Sequence, residues 1–284
     1  MTPAGPAGRR PSDPARPGGY TLRNADPAEA ARLGTLESLH DRSTARQLEA
    51  LGIGPGWHCA ELGAGAGSVA RWMLERVGPG GRVTAIDRDT SLLADLTGVG
   101  NAEVVTGDLT TMDLGDARYD LVHSRAVLMH LEDPDAVVGR IVGSLRPGGR
   151  VLFEEVDGDP ARVAAARVGL PGPFLEVMVP LAARWCWAGT LAGRLRALGL
   201  EDVRDDVRTD ELRGATPGAA FWAQTLETVR PVLTATAADG GAGDPGIDDA
   251  AIDAMVRLLA DPGFAVPFAA RHRVSGRAPG TAAP

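Results

Sequence analysis

A glycine-rich turn between a short apolar strand and an amphipathic helix constrains this chain more than any other feature. Residues 59–68 read CAELGAGAGS, with glycine at alternate positions. The apolar residues Val69, Trp72, Met73 and Val77 then recur at helical spacing. An α/β protein uses strand, glycine turn and helix to bring its backbone against a nucleotide-like ligand. We expect the glycines because a Cβ would fill the ligand's space or forbid the required backbone angles.

Five short apolar runs alternate with helical patterns between residues 53 and 156, which predicts a doubly wound, mostly parallel α/β sheet. A later run at Asp202–Val207 predicts an edge strand, and Phe264–Val274 a final strand. The predicted organisation is a disordered tail (1–19), a helical cover (20–52), a ligand-binding core (53–156), lid helices that also complete the sheet (157–275) and a second tail (276–284).

Composition excludes several classes of function. The net charge of −8 and pI of about 5.2 argue against a nucleic-acid partner, which would favour a basic surface. No apolar run is long enough for a transmembrane helix and no secretory signal is evident, so we expect a cytoplasmic protein. Every basic residue is arginine, which excludes a lysine-dependent phosphate loop. No cluster of histidine, cysteine and acidic residues has metal-ligand spacing, so no metal is predicted.

The spacing of the glycines distinguishes two classes of ligand. A dinucleotide site needs the pattern G-x-G-x-x-G, whereas Gly63, Gly65 and Gly67 follow G-x-G-x-G and Ser68 takes the place of the third dinucleotide glycine. Glu61 stands just before the turn, where a carboxylate suits an ammonium or sulfonium group better than a phosphate. The turn therefore favours a cationic ligand without phosphates.

Two further carboxylates follow the next predicted strands. Asp87 ends the second strand, 20 residues beyond Gly67, where it can accept hydrogen bonds from both ribose hydroxyls. Asp108 follows the third strand and can accept from an exocyclic adenine amine, with Leu109 beside the ring. These acids meet at one edge of a parallel sheet, which predicts an adenosine-containing ligand there.

At this point the sequence resembles the class I S-adenosylmethionine-dependent methyltransferases. It looks most similar to an actinobacterial branch related to the ubiquinone/menaquinone-biosynthesis enzymes. The resemblance implies a Rossmann-like, seven-stranded sheet whose last strand, here Phe264–Val274, is antiparallel. The segments that carry it are ELGAGAG (61–67), VTAID (83–87), GDL (107–109), YDLVH (119–123) and LRPGGR (145–150).

The resemblance also implies S-adenosyl-L-methionine as the cofactor and assigns its binding residues. Arg88 departs from the family pattern, since an apolar residue often stacks on adenine there; its guanidinium either stacks instead or points away. The expected cofactor-binding residues are Tyr20, Glu61, Gly63, Gly65, Gly67, Asp87, Arg88, Asp108, Leu109 and the backbone near His123.

His123 is the best-placed candidate for a catalytic base, because it follows the fourth strand. A base helps when the methyl acceptor is a hydroxyl. The alternative is that His123 packs beside the cofactor and only its backbone matters. Aromatic residues in the second half of the chain are candidates for binding the acceptor, and they are Phe174, Trp185, Trp187 and Trp222.

The predicted function is methyl transfer to a small organic acceptor, such as a secondary metabolite, by a monomer or homodimer. O-methylation is favoured, with N- and C-methylation left open. One alternative is a cyclase or isomerase that retains the cofactor without using its methyl group. An NAD-dependent dehydrogenase is disfavoured by the glycine spacing and by the absence of lysine.

Overall fold

Seven strands form a single sheet in the computed structural model, which describes residues 24–159, 169–183, 185–238 and 247–280. The strands are β1 (His58–Leu62), β2 (Arg82–Asp87), β3 (Ala102–Thr106), β4 (Tyr119–Arg125), β5 (Leu145–Asp157), β6 (Glu201–Arg213) and β7 (Ala265–Arg277). Their order is β3-β2-β1-β4-β5-β7-β6. β1 to β5 are parallel, and β7 is antiparallel to both β5 and β6. The predicted fold class and antiparallel seventh strand are confirmed.

Helices cover both faces of this sheet and its carboxyl edge. Aspartate side chains fix three of their starts: Asp26, Asp133 and Asp248 each accept a hydrogen bond from a backbone N–H of the first turn. Within the described ranges, no helix has both the length and the apolar composition needed to cross a bilayer. The helices are α1 (Pro27–Ala50), α2 (Ser68–Val77), α3 (Pro134–Gly143), α4 (Val179–Ala183), α5 (Leu191–Ala197), α6 (Pro217–Ala238) and α7 (Asp249–Ala260).

The ribbon formed by β6 and β7 is longer than the sequence predicted. Each strand has 13 residues, whereas the pattern indicated only Asp202–Val207 and Phe264–Val274. The pairing continues through Leu212 and Val266 because both side chains are buried in an apolar core beyond the edge of the parallel strands. The ribbon therefore rises above the carboxyl edge of the sheet.

Two apolar cores fill the faces of the sheet, and a third lies beyond its carboxyl edge. In the third core, residues of α6 and α7 pack on β7 and on a turn of π-helix at Phe174–Met178. The sequence predicted broken helices between residues 157 and 188, and the described part of that range has this short turn followed by α4. Together with α1, the third core encloses the space above the strand ends.

Candidate active site

A cavity of about 690 Å³ lies over the carboxyl ends of the parallel strands, between them and residues of α1 and α6. Open α/β sheets bind their ligands at this edge. Most of the residues predicted from the sequence face this space. Those that line it are Glu61, Gly63, Gly65, Asp87, Arg88, Asp108, Leu109, Trp185 and Trp222.

The Asp87 carboxylate is held in place by backbone N–H groups at the end of β2. Its Oδ2 accepts from Gly65 N at 2.8 Å, and its Oδ1 accepts from Asp89 N at 3.0 Å. Burial raises the pKa of Asp87, while these backbone donors act against the rise. Asn24 Nδ2 also approaches Oδ1, at 3.4 Å. Oδ2 retains a further lone pair, so the group is fixed as an acceptor for hydroxyls in the cavity.

Asp108 and Arg88 lie side by side at the same edge. The Arg88 Nε and the Asp108 Oδ2 are 3.9 Å apart, and both side chains are about half exposed. Burial acts to raise the pKa of Asp108, but hydrogen bonds from Thr110 and the charge of Arg88 lower it on balance. The sequence did not determine whether Arg88 stacks on the ligand or points away. In the structure, Arg88 faces Asp108 across the mouth of the cavity.

The glycine turn needs glycine for its backbone angles and for close contacts with neighbouring side chains. Gly63 has φ of +70°, and a Cβ there would lie 2.2 Å from Val127 Cγ2. Gly67 has φ of +86°, and its Cβ would lie 2.6 Å from Leu93 Cδ2. Other L-residues rarely adopt such angles. Glycine is therefore required at both positions by the backbone angles, as the sequence predicted. A Cβ at either position would also clash, but with protein side chains and not with the ligand's space.

A buried chain of charged groups runs beneath the cavity from β1 to β5. Glu61 and His123 are register partners on β1 and β4, and His123 Nδ1 lies 2.7 Å from Glu61 Oε2. The other ring nitrogen, Nε2, lies 3.3 Å from Glu154 Oε2 on β5. Glu61 and Glu154 are each 3% exposed and His123 is fully buried. Of the three, Glu61 alone also lines the cavity.

The charge of this chain follows from its contacts. Burial acts to lower the pKa of His123, but Glu61 and Glu154 outweigh that effect and raise the pKa to about 9. Burial acts to raise the pKa of Glu154, but His123, Thr44 and Arg125 outweigh it and lower the pKa to about 2. At neutral pH the imidazolium therefore donates from both nitrogens, one N–H to each carboxylate.

Glu154 connects this chain to α1 and to β7. Its Oε1 accepts from Arg273 Nε at 2.9 Å, and the Thr44 hydroxyl of α1 bonds Oε2. Arg125 in turn donates to Thr44 Oγ1 at 3.0 Å and to Asp41 Oδ1 at 2.9 Å. The covering helix is thus attached to the sheet directly behind the cavity.

Comparison with known proteins identifies the family. The family model described as a methyltransferase domain matches residues 60–153, which include β1, the glycine turn and the strand ends described above. The chain carries a class I S-adenosylmethionine-dependent methyltransferase domain. Its cofactor is S-adenosyl-L-methionine.

Two curated relatives show the extent of the similarity. Nocamycin O-methyltransferase from Saccharothrix syringae is 29% identical over 195 residues, which cover 61% of this chain and 70% of that protein. An uncharacterized 37.1 kDa protein in a transposon of Streptomyces fradiae is 30% identical over 167 residues, or 56% of this chain. The match spans 48%, about half, of the length of that second relative.

Solved structures share the fold of the methyltransferase domain. Phosphoethanolamine N-methyltransferase 2 of Haemonchus contortus, in complex with S-adenosyl-L-methionine, has a TM-score of 0.50 and 19% identity, covering 88% of this chain and 52% of its own. The [4+2]-cyclase SpnF also has a TM-score of 0.50 and 19% identity, covering 84% and 82%. At these identities the likeness concerns the fold alone.

The residues of the methyltransferase domain fit its cofactor. S-adenosylmethionine carries a positively charged sulfonium, an ammonium group and two ribose hydroxyls. The cavity meets them with carboxylates at three strand ends, Glu61, Asp87 and Asp108, of which Asp87 is already oriented by backbone donors. Carboxylates stabilise cations and accept from hydroxyls, whereas they would repel a phosphate.

Several sequence-predicted residues lie outside the cavity lining. His123 cannot reach an acceptor as a base, because it is fully buried and both ring nitrogens contact carboxylates. Phe174 packs against Phe264 and Phe268 in the third core. Trp187 donates from Nε1 to Asp135 at 3.0 Å, away from the cavity. Gly67 caps α2 instead of lining the space. Tyr20 lies outside the described residues.

Four aromatic rings pack together in the lining of the cavity and form an aromatic wall. Trp185 and Trp222 have ring centroids 5.5 Å apart, and Trp222 meets Phe268 edge-on at 5.0 Å. Phe221 also meets Trp222 edge-on, at 5.5 Å. All four rings line the cavity. This wall offers flat apolar surface, and it combines the predicted Trp185 and Trp222 with Phe221 and Phe268.

Two further histidines, His40 on α1 and His130 after β4, line the cavity. Burial and the charges of Arg271 and Arg125 lower the pKa of His40 to about 3. Its Nδ1 faces the Arg271 guanidinium, which can only donate, so the proton of His40 is on Nε2. Burial and Arg32 lower the pKa of His130 to about 4. Both imidazoles are therefore neutral at pH 7.

Glu155 holds the turn that carries His130, a role that was not predicted from the sequence. The carboxylate is fully buried and accepts from the backbone N–H groups of Val127, Leu128 and Met129 at 3.1–3.2 Å. Burial raises the pKa of Glu155 to about 7, against the effect of these donors. Three convergent amides fix the turn, and with it the side chains of Val127, Met129 and His130 in the cavity wall.

Proposed function

We propose that this chain transfers a methyl group from S-adenosylmethionine to an oxygen atom of a small, largely flat and apolar acceptor. The single observation that carries the proposal is one continuous cavity, lined by carboxylates at its strand end and by aromatic rings at its helix end. When bound, the cofactor supplies an activated methyl group. An acceptor oxygen can attack the methyl carbon, and the sulfur leaves as the thioether of S-adenosylhomocysteine.

The strand end accounts for cofactor binding in this proposal. Glu61 accepts from the ammonium group, Asp87 from the ribose hydroxyls and Asp108 from the adenine amine. Leu109 packs beside the base, and the turn at Gly63 and Gly65 leaves room for the methyl-bearing sulfur. Alignment of donor and acceptor then supplies most of the acceleration, about 7–11 kcal/mol at best.

The helix end accounts for the acceptor. The aromatic wall can bury the faces and edges of a planar molecule, and binding is favoured because apolar surface leaves water. Its rings are those of Trp185, Trp222, Phe221 and Phe268. Nocamycin O-methyltransferase acts, by its name, on nocamycin; its similarity supports O-methylation here, and we propose a secondary metabolite as the acceptor. A chain that modifies such a molecule would work in the cytoplasm, as a monomer or homodimer, without nucleic acid.

His130 is the residue that we propose as proton acceptor for a hydroxyl nucleophile. It lines the cavity on the turn held by Glu155, and its pKa of about 4 keeps it neutral at pH 7. A neutral imidazole can take up the proton released as the new C–O bond forms. Because a pKa of about 4 makes His130 a weaker base than an ordinary histidine, we expect a contribution at the lower end of the usual range, about 10²-fold.

The proposal is tested by comparing the amounts of the two products in a coupled assay. Candidate aromatic hydroxy compounds are incubated with cofactor, and the formation of S-adenosylhomocysteine is compared with the formation of methylated product. We expect one equivalent of each, and a loss of about 10²-fold or more in turnover for His130→Ala. Product formed without S-adenosylhomocysteine would instead establish the cyclase or isomerase alternative.

His58→Ala is the matched control for His130→Ala. His58 begins β1 at the opposite end of the sheet, where its Nε2 lies 3.1 Å from Thr84 Oγ1. We expect its turnover to match that of the unaltered protein. If His130→Ala retains full turnover, a base at this position is ruled out while methyl transfer itself stands.

A further inference from the structure

Glu61 is the one described carboxylate that both lines the cavity and belongs to the buried chain of charges. Only 3% of its surface is exposed, so it has little water to solvate its charge. A buried carboxylate without a hydrogen-bond donor is strongly destabilised. A donor on the protein side is therefore required to satisfy one oxygen of Glu61 and to hold the other toward the cavity.

His123 is that partner by geometry. Its Nδ1 lies 2.7 Å from Glu61 Oε2, the distance of a charge-assisted hydrogen bond, which leaves Oε1 for a ligand. The imidazole cannot rotate away, because Nε2 is bound to Glu154, which is itself held by Arg273 at 2.9 Å. Charges then alternate in the order Glu61, His123, Glu154, Arg273.

We propose that His123 is a positioning residue, which fixes the Glu61 carboxylate as the acceptor for the ammonium group of the cofactor's amino-acid end. This inference rests on the proposed cofactor site and adds a role that the base hypothesis did not contain. The positively charged ammonium group would lie next to Glu61 on its cavity side, so positive and negative groups would still alternate along the series. His123 acts through Glu61 and touches neither cofactor nor acceptor.

Two ligands that differ only at the amino-acid end test this role. S-adenosylhomocysteine has the ammonium group, whereas 5′-methylthioadenosine has the same adenosine and thioether without it. By titration calorimetry, we expect His123→Gln to lower the affinity for S-adenosylhomocysteine about tenfold or more. The affinity for 5′-methylthioadenosine should change by less than about twofold. Equal losses for both ligands, or no loss for either, would overturn the proposal.

A double-mutant cycle with Glu61→Gln separates positioning from general damage. In the Glu61→Gln background the ammonium has already lost its charged partner, so adding His123→Gln should cause no further selective loss of S-adenosylhomocysteine. An additional selective loss would show that His123 acts by another route. His58→Gln, which changes a histidine at the far end of β1, is the control and should bind both ligands as the unaltered protein does.

A measurement on the unaltered protein keeps the test open if His123→Gln does not fold. In NMR of the ¹⁵N,¹³C-labelled protein, the ring resonances of His123 are assigned through their connection to the backbone of residue 123. Its Nδ1–H resonance should shift on adding S-adenosylhomocysteine and stay in place with 5′-methylthioadenosine; the same response to both ligands contradicts the proposal. Failure of the unaltered protein to bind S-adenosylhomocysteine would refute the cofactor site itself.

Discussion

The two ends of the cavity are built on different principles. The strand end, which we assign to the cofactor, takes one carboxylate from the carboxyl end of each of three strands: Glu61 in β1, Asp87 in β2 and Asp108 just after β3. The acceptor end combines side chains from α1, α6, β6 and β7 with the turn after β4, from Arg32 to Arg271. The cofactor end is thus a product of local motifs, and the acceptor end is a product of tertiary packing. Mutations should separate the two.

Phe174→Ala should have the largest effect, and the effect should fall on stability. Phe174 is fully buried between Phe264 and Phe268 in the core that supports the acceptor end. Its truncation should lower the free energy of unfolding by about 3–5 kcal/mol. Urea denaturation measures the change, and Leu175→Ala, at a neighbouring side chain that is 39% exposed, is the control. An equally stable Phe174→Ala protein would contradict this packing.

Raising the pH should weaken the fold through His123. Its pKa is about 9 in the folded chain, above the unfolded value of 6.5. The contribution of the imidazolium is therefore complete below pH 6.5 and is lost as the pH rises to about 9, by about 1–3 kcal/mol. The difference in unfolding free energy between the unaltered protein and His123→Gln should shrink over that range. A constant difference would show that His123 is neutral in the folded chain.

Asp87→Ala should lower cofactor affinity by at least about tenfold. It removes the acceptor for the ribose hydroxyls, together with the bonds that orient the turn through Gly65 N and Asp89 N. Asp87→Asn, which keeps one acceptor oxygen, should lose less. Calorimetry with S-adenosylhomocysteine makes the comparison, and unchanged affinity in Asp87→Ala would remove the assignment of this end of the cavity.

Trp187→Phe should have the smallest effect. The indole lies outside the cavity lining, and its one hydrogen bond to Asp135 is exposed. We expect a change in unfolding free energy below about 1 kcal/mol and an unchanged KM for the acceptor. Trp222→Phe is the matched substitution inside the aromatic wall, and it should raise that KM. Equal KM effects of the two variants would argue against the wall as the acceptor site.

The cofactor end could be predicted because its residues follow from the register of short strands. Each parallel strand ends at the same edge, so Glu61, Asp87 and Asp108 had to meet there once the strands were recognised. The seven-stranded sheet and the antiparallel β7 came with the family resemblance and are confirmed.

The acceptor end could not be predicted, because helical spacing does not say which element packs on which. Phe174 and Trp222 look alike in the sequence, but one lies in a core and the other in a cavity wall. His123 was misread for a related reason. It lies within β4, and the direction of its ring depends on carboxylates of β1 and β5. A Glu-Glu pair at residues 154–155 in a buried strand was the available signal.

The tall ribbon of β6 and β7 has a consequence for how accurately the two substrates can be aligned. Leu212 and Phe268 of this ribbon form part of the acceptor wall, and Arg271 on the same strand pairs in register with Val156 of β5. Strand pairing therefore connects β1, which carries Glu61, through β4 and β5 to the strands that face the acceptor. Displacing the covering helices would open the site without changing the distance between these two surfaces, so the alignment for methyl transfer is a property of the sheet.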